Sequence, residues 1–317
     1  MNNQTVLVTG GTGFVGIHIL LQLLQQGYTV KTTLRSLSRK TEIEKALQEA
    51  GLSSFERLSY YEADLNADEG WAAAVAGCDY VLHVASPFPT GQPADENELI
   101  LPARDGALRV LQAARDAGVK RVVLTSSFAA IGYSTPPQDH VYTERDWTDP
   151  AIPLPAYIKS KTVAEIAAWD FIANEGGALE LSVVNPVGIF GPAIGGITSS
   201  SIDVVVKGII NGTTNVSPDF TLGVVDVRDV ADIHLKAMVL PAAAGQRFLA
   251  TAEGALSFYD VAQLIRQERP HRAAHIAAMN PTDKAFYITL SNEKARNVLG
   301  WQPRSKEEAL LASVDTV

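Results

Sequence analysis

Tyr157 and Lys161 stand four residues apart in the run Tyr157-Ile-Lys-Ser-Lys161, at the start of a stretch with helical patterning. That spacing puts both side chains on one helix face. A phenol titrates near 10, too high for easy proton exchange at neutral pH, and a neighbouring ammonium favours the phenolate and lowers that value. A tyrosine so placed can act as general acid toward a carbonyl that receives hydride, or as base in the reverse direction. A Tyr/Lys pair alone recurs on many helices by chance. Here Thr125-Ser126-Ser127 lies upstream, directly after the apolar run 122–125. A serine hydroxyl at that strand end can donate a hydrogen bond to the same carbonyl oxygen. Ser127 is the expected donor, with Ser126 as the alternative.

Hydride has to come from a dinucleotide, and the N-terminal stretch has the parts to hold one. The apolar run 6–8 meets glycines at 10, 13 and 16, followed by an apolar helical pattern of Phe14, Val15, Ile19, Leu20, Leu23 and Leu24. Gly10 suits the tight turn. Gly13 lets the backbone approach a pyrophosphate, and Gly16 lets the helix sit close to the strand. The turn 10–16, with Thr12, Phe14 and Val15 at the helix start, offers unpaired N–H groups and a positive dipole end to phosphates. The spacing is GxxGxxG rather than GxGxxG, so the glycines need the flanking strand and helix to carry the assignment.

An NAD site places an acid about 20 residues past the glycines, where it binds the ribose 2′-hydroxyl. Here that region reads Thr32-Thr33-Leu34-Arg35-Ser36, with Arg39 and Lys40 close behind. A basic cluster with no acid suits a 2′-phosphate, for which the planar guanidinium of Arg35 is the better partner. NADPH/NADP+ is the expected cofactor. Asp64-Leu65, after the third strand, fits the adenine, with a carboxylate for the amine and an apolar face for the ring. Thr125 lies on the same sheet edge, and Lys161 can also hold the nicotinamide ribose hydroxyls.

These residues need a scaffold, and the pattern supplies one. Strand-like runs (6–8, 29–34, 58–61, 80–84, 122–125, 181–184) alternate with helical ones (14–26, 41–50, 69–75, 96–117, 156–174). Such alternation implies an α/β fold with right-handed crossovers and a parallel sheet covered on both faces. After Asn185 Gly and Pro become dense and the elements shorten. Residues 1–185 are expected to form the cofactor domain and 186–317 mainly a substrate lobe, with the chain crossing back near 222–250.

The chain has 317 residues, a net charge of -9 and one cysteine, Cys78. The acidic balance argues against nucleic-acid or anionic-membrane partners. No intrachain disulfide is possible. The N-terminus lacks a basic leader and the first apolar run is too short to span a membrane, so a cytoplasmic protein is expected. The six histidines show no metal-ligand pairing, which argues against a metal site. The four tryptophans read as core.

Thr9-Gly-Gly-Thr-Gly-Phe-Val-Gly16, the Ser127/Tyr157/Lys161 set, His83-Val-Ala-Ser-Pro87 and Asn185-Pro-Val-Gly-Ile-Phe-Gly-Pro192 together resemble the extended short-chain dehydrogenase/reductases. Val225-Asp-Val-Arg-Asp-Val230 and Leu299-Gly-Trp-Gln-Pro-Arg304 extend the likeness to nearly the whole chain. Within the family the chain looks most like the dihydroflavonol reductase-like branch, which also holds cinnamoyl-CoA reductases and microbial aldehyde, ketone and methylglyoxal reductases. The resemblance implies a Rossmann-type doubly wound parallel sheet with a smaller mixed α/β C-terminal substrate lobe, and NADPH-dependent reduction of a small-molecule carbonyl. It places Arg35 at the 2′-phosphate and Asp64-Leu65 at the adenine. Val84, Ala85 and Ser86 would line the cofactor, Pro186 and Val187 would meet the nicotinamide carboxamide through the backbone, and Ser200 would lie near the phosphates. Relatives often dimerise through the helices near 96–117 and at Tyr157, so a homodimer is an option.

One departure bears on substrate. Plant dihydroflavonol reductases carry Asn or Asp shortly after the catalytic serine to read flavonoid hydroxyls, whereas this chain has Gly132 there, followed by Tyr133. The expected walls, Phe88, Tyr133, Phe190, Leu222 and Phe286, are more apolar than charged and suit a small or aryl aldehyde or ketone. Two other functions compete. An NAD-dependent nucleotide-sugar epimerase or dehydratase should show an acid at the second strand end and a basic second lobe, yet only Lys207, Arg228 and Lys236 are basic between 186 and 240. A non-enzymatic dinucleotide sensor would be free to lose Tyr157 or Lys161.

Overall fold

In a computed structural model, residues 3–87, 91, 93–136 and 140–317 are described. The first half alternates strand and helix: β1 (Thr5–Thr9), α1 (Phe14–Gln25), β2 (Thr29–Leu34), α2 (Lys40–Glu49), β3 (Leu58–Glu62), α3 (Trp71–Val75) and β4 (Tyr80–His83). It continues through α4 (Asn97–Asp116), β5 (Arg121–Thr125), the short β6 (Val141–Tyr142), α5 (Ala156–Asn174) and β7 (Glu180–Pro186). Beyond these come β8 (Gly188–Phe190), a π-helical turn Ile202–Lys207 leading into α6 (Gly208–Ile210), β9 (Leu222–Asp226), α7 (Val227–Val239) and β10 (Gln246–Ala250). The chain closes with β11 (Ala255–Leu256), α8 (Phe258–Glu268), β12 (Thr289–Leu290), α9 (Glu293–Leu299) and α10 (Lys306–Thr316).

The central sheet has seven strands in the order β10-β7-β5-β4-β1-β2-β3, all parallel. Its inner strands are buried on both faces, which is why they read as unbroken apolar runs. Ile17, Leu20 and Leu23 of α1, Ile43 and Leu47 of α2 and Val230 and Ile233 of α7 pack on one face. Val110 and Leu111 of α4 and Ala168 and Phe171 of α5 pack on the other. Strand order reverses between β1 and β4, and ligands of open α/β sheets sit in the crevice outside such a switch point.

Buried polar groups fix α7. Arg121, at the start of β5, is buried and donates to the carbonyls of Ala237, Met238 and Leu240, satisfying helix-end acceptors that would otherwise be orphaned. Asp226 caps the other end through the Arg228 N–H. Trp301 donates to the Asp229 carbonyl at 3.0 Å, and Arg304 pairs with the Asp229 carboxylate. Two sequence motifs some 70 residues apart are thus one structural joint.

The segment 222–250, expected as a return to the sheet, divides between two sheets. β10 joins the main sheet beside β7, and α7 packs on α1. β9 instead sits between β8, parallel, and β11, antiparallel, in a separate three-stranded sheet of the second lobe. An apolar run such as 222–226 can fill either sheet, and pairing partners distant in sequence decide. The lobe's core gathers Phe190, Ile202, Val205 and Val206 with Val261 and Ile265 of α8 and Leu310 of α10.

Candidate active site

The glycine turn connects β1 to α1. Gly10 takes φ +75°, Gly13 donates to the Gly10 carbonyl at 2.9 Å, and α1 starts with no side-chain cap and no acid in its first turn. Its first N–H groups are therefore open to an anion. A Cβ on Gly16 would lie 2.1 Å from the Gly10 carbonyl oxygen, and one on Gly10 would lie 3.0 Å from the Ala85 backbone. Helix, turn and the segment after β4 are packed as tightly as a cradle of bare backbone allows. Gly16→Ala is expected to cost about 1–3 kcal/mol of stability, read from the denaturant midpoint; an unchanged midpoint would mean that the turn moves aside freely.

Phe14 and Thr12 serve this turn differently. The Phe14 ring is buried in the lobe core, edge-on to His18 at 5.6 Å, so only its backbone faces outward chemistry; Thr12 and Val15 are half-buried. Thr9 Oγ1 accepts the N–H groups of Val84 and Ala85, each at 3.0 Å, and so donates its proton to His83 Nδ1 at 2.8 Å. Burial, reinforced by the charge of Lys161, pulls His83 down to about 3, so the ring is neutral and structural. Val84, Ala85 and Ser86 are half-buried beside the turn, with the first two N–H groups already spent.

At the end of β2 the three basic residues separate. Arg39 is bound by Glu42 at 2.7 Å, and Lys40 pairs with Glu44 at 3.3 Å while lying over the Tyr60 ring. Arg35 is exposed, and no partner for its guanidinium appears among the described residues. β3 brings Glu62 alongside, accepting the Leu37 N–H at 3.3 Å, a neighbour the linear sequence does not reveal. Asp64 spends one carboxylate oxygen on the turn that follows it, accepting from the Asn66 backbone at 2.9 Å and its amide at 3.1 Å. Leu65 packs against Gly106 of α4.

Ser127, Tyr157 and Lys161 come together where β5 ends and α5 begins. The Ser127 hydroxyl is hydrogen-bonded to the Tyr157 phenol, and Lys161 Nζ lies 5.8 Å from the centre of the same ring. Ser126 points elsewhere, donating to Glu165 at 2.5 Å. Burial raises the phenol above its ordinary value, outweighing the lowering by Ser127, while the nearby Tyr133 adds to the rise. The sequence expectation that Lys161 lowers this phenol is therefore corrected: the ammonium sits over the ring, and the desolvation that raises tyrosine also draws Lys161 down to about 8. Thr125, expected at the cofactor, donates its hydroxyl back to His234 on α7 at 2.7 Å, because His234 Nδ1 is committed to the Val230 carbonyl.

A buried polar cluster lies directly behind these residues. Glu165, 0% exposed, accepts from Ser126, Asn185, Arg247 and Trp169. Sequence reasoning missed it, although a carboxylate eight residues past Tyr157, on the same helix face as Tyr157 and Lys161, was a visible signal. Trp147, read as core, is 40% exposed and stacks on the Arg247 guanidinium at 3.6 Å.

Among the expected substrate walls, Tyr133 is 47% exposed, packs its ring against Phe128 at 5.9 Å and lies within electrostatic reach of Tyr157. Leu222 and Phe286 are half-buried and adjacent, since Thr221 donates to the Phe286 carbonyl at 2.8 Å. Phe190 is corrected to a core residue: it is 0% exposed and clusters with Phe14 and with Ile202, Val205 and Val206, because an aromatic closing a short strand can face either way. Phe88 lies outside the described residues. Pro186 and Val187 are buried, and the Val187 N–H is given to the Ala250 carbonyl at 3.2 Å, so it is not available to a carboxamide. Ser200 is exposed ahead of the π-helical turn, while neighbouring Ser199 makes the local capping bonds. A Cβ on Gly132 would lie 2.0 Å from the Phe128 ring, so that ring fills the place a side chain there would take.

Among the described residues, no helix is long and apolar enough to cross a membrane. The chain is 34% identical to a putative NADPH-dependent methylglyoxal reductase, GRP2, of Candida albicans, over 95% of this chain and 94% of the relative. It is also 34% identical to cinnamoyl-CoA reductase 1 of Arabidopsis thaliana, over 99% and 89%. Its fold superposes on yeast methylglyoxal/isovaleraldehyde reductase Gre2 complexed with NADPH with a TM-score of 0.87, at 27% identity, covering 99% of this chain and 98% of that one. Residues 6–249 match the model of the NAD dependent epimerase/dehydratase family, and with the glycine cradle on its parallel sheet the chain belongs to that family, the extended short-chain dehydrogenase/reductases.

Proposed function

We propose that this protein is an NADPH-dependent reductase of small, largely apolar aldehydes or ketones. The observation that carries the reading is the meeting of Ser127, Tyr157 and Lys161 at the sheet edge beside the glycine turn. The turn at 10–16 binds the pyrophosphate, Arg35 binds the 2′-phosphate and Asp64-Leu65 border the adenine. Bound NADPH supplies the hydride. Lys161 holds the ribose hydroxyls, Ser127 donates a hydrogen bond to the substrate carbonyl oxygen, and Tyr157 passes its phenolic proton to that oxygen as it takes up charge. Tyr133, Leu222 and Phe286 form the apolar wall. The similarity to NADPH-dependent GRP2 and to NADPH-bound Gre2 supports the same cofactor.

The nucleotide-sugar reading fits less well. Lys207 pairs with Asp203, Arg228 with Asp226 and Glu308, and Lys236 with Asp232, so the three cations between 186 and 240 are each engaged by a carboxylate. The test follows NADPH oxidation with aryl ketones, 2-oxoaldehydes, β-keto esters and dihydroflavonols side by side. Turnover is expected with one of the first three classes and not with dihydroflavonols. No turnover with any carbonyl, together with epimerisation of a nucleotide sugar, would overturn the reading.

A further inference from the structure

We propose that Glu165 is a positioning residue for carbonyl reduction: through Ser126, Asn185 and Arg247 it fixes the turn that holds Ser127 against Tyr157. Tyr157, Lys161, Glu165 and Trp169 recur every four residues and so share one face of α5. The Glu165 carboxylate accepts four donors: Ser126 Oγ at 2.5 Å, Asn185 Nδ2 at 2.7 Å, Arg247 Nε at 2.5 Å and Trp169 Nε1 at 3.3 Å. A carboxylate has about four acceptor positions, so none remains for a substrate or a proton. Glu165 acts on the reaction only through what it holds.

What it holds is the segment 126–130. Ser126 follows β5, Asn185 is on β7 and Arg247 on β10, so one buried carboxylate ties three adjacent strands to the helix that carries the phenol. The second Asn185 N–H goes to the Ser127 carbonyl at 3.2 Å, and Arg247 reaches the Ala130 carbonyl at 3.4 Å. Thr162, on the same helix, gives its hydroxyl proton to the Ile158 carbonyl at 2.9 Å and lies 3.3 Å from the Ala129 carbonyl. Backbone carbonyls at 127 and 130 are thus held by two partners of Glu165, and the Ser127–Tyr157 geometry follows from that anchoring. Arg247 and Glu165 are both buried, so loss of either charge strands the other.

This inference rests on the reductase reading, and its test is chosen to separate the two. Ser126→Ala removes one arm without disturbing the buried charge pair; Glu165→Gln removes the charge as well. In Ser126→Ala, kcat is expected to fall roughly tenfold with the KM for NADPH unchanged within about twofold. The Tyr157 phenol, followed by NMR of carbon-labelled tyrosine with Tyr157→Phe for assignment, should titrate roughly half a unit to one unit higher as its bond from Ser127 loosens. Ser126→Thr keeps the hydroxyl and should restore both values. Glu165→Gln should shift the phenol further; if it does not fold, Ser126→Ala decides. The titration needs no turnover, so it reads positioning even if no carbonyl is reduced. An unshifted phenol in folded Ser126→Ala overturns the proposal whatever kcat does.

Discussion

Tyr157→Phe is expected to abolish carbonyl reduction while NADPH still binds. The substitution removes one oxygen from a ring whose packing is otherwise kept, so the effect isolates proton transfer. General acid catalysis by a placed side chain contributes on the order of 10²–10⁴-fold, and kcat should fall by that factor. Cofactor affinity, read from quenching of protein fluorescence, should change less than about twofold, since a phenol adds at most one neutral hydrogen bond. A variant with near-normal turnover would remove Tyr157 from the chemistry. The wild-type pH profile carries the same assignment. In the proposed mechanism reduction requires the protonated phenol, and burial raises that phenol, so it stays protonated through neutral pH. The Lys161 charge is lost first, because its ammonium is drawn down to about 8. Reduction should therefore decline as pH rises through about 8, first as a rise in the KM for NADPH and only later as a fall in kcat. The opposite order would assign the first limb to tyrosine.

Arg35→Ala should raise the KM for NADPH by about 10- to 100-fold, with that for NADH changed less than about threefold, the range set by a charge-assisted hydrogen bond. The prediction is sharp because the neighbours are engaged: Arg39 by Glu42 and Lys40 by Glu44. Arg35→Asp should go further and favour NADH, since a carboxylate repels the phosphate and can accept from a ribose hydroxyl. Arg35 is exposed, so its contribution should shrink as ionic strength rises. An unchanged NADPH/NADH ratio in both variants would mean that Arg39 or Lys40 leaves its carboxylate to read the phosphate.

The first half of the fold was legible because strict alternation of short apolar runs with amphipathic helices admits few arrangements, and Gly10, Gly13 and Gly16 mark one turn. The second half was not, because β8, β9 and β11 are short and their pairing is settled by residues far away in the chain. At the site, residue types were readable and directions were not. Neighbours on an extended segment point to opposite sides, so Ser126 facing Glu165 and Ser127 facing Tyr157 could not be told apart from their order. Phe190 failed for the same reason. Desolvation was invisible too: Tyr157 and Lys161 suggested a lowered phenol, whereas the burial they share moves both toward neutrality. The Thr125 hydroxyl and the Val187 N–H have partners, His234 and Ala250, that only the fold supplies.

The Phe128 ring occupying the space beside Gly132 bears on how such an enzyme changes its diet. A single exchange of Gly132 for Asn or Asp does not simply add a polar group beside Ser127. It evicts an aromatic ring that is itself braced against Tyr133 and Tyr142. A polar side chain at 132 therefore needs a smaller residue at 128 to make room for it, and the effect of either substitution depends on the other.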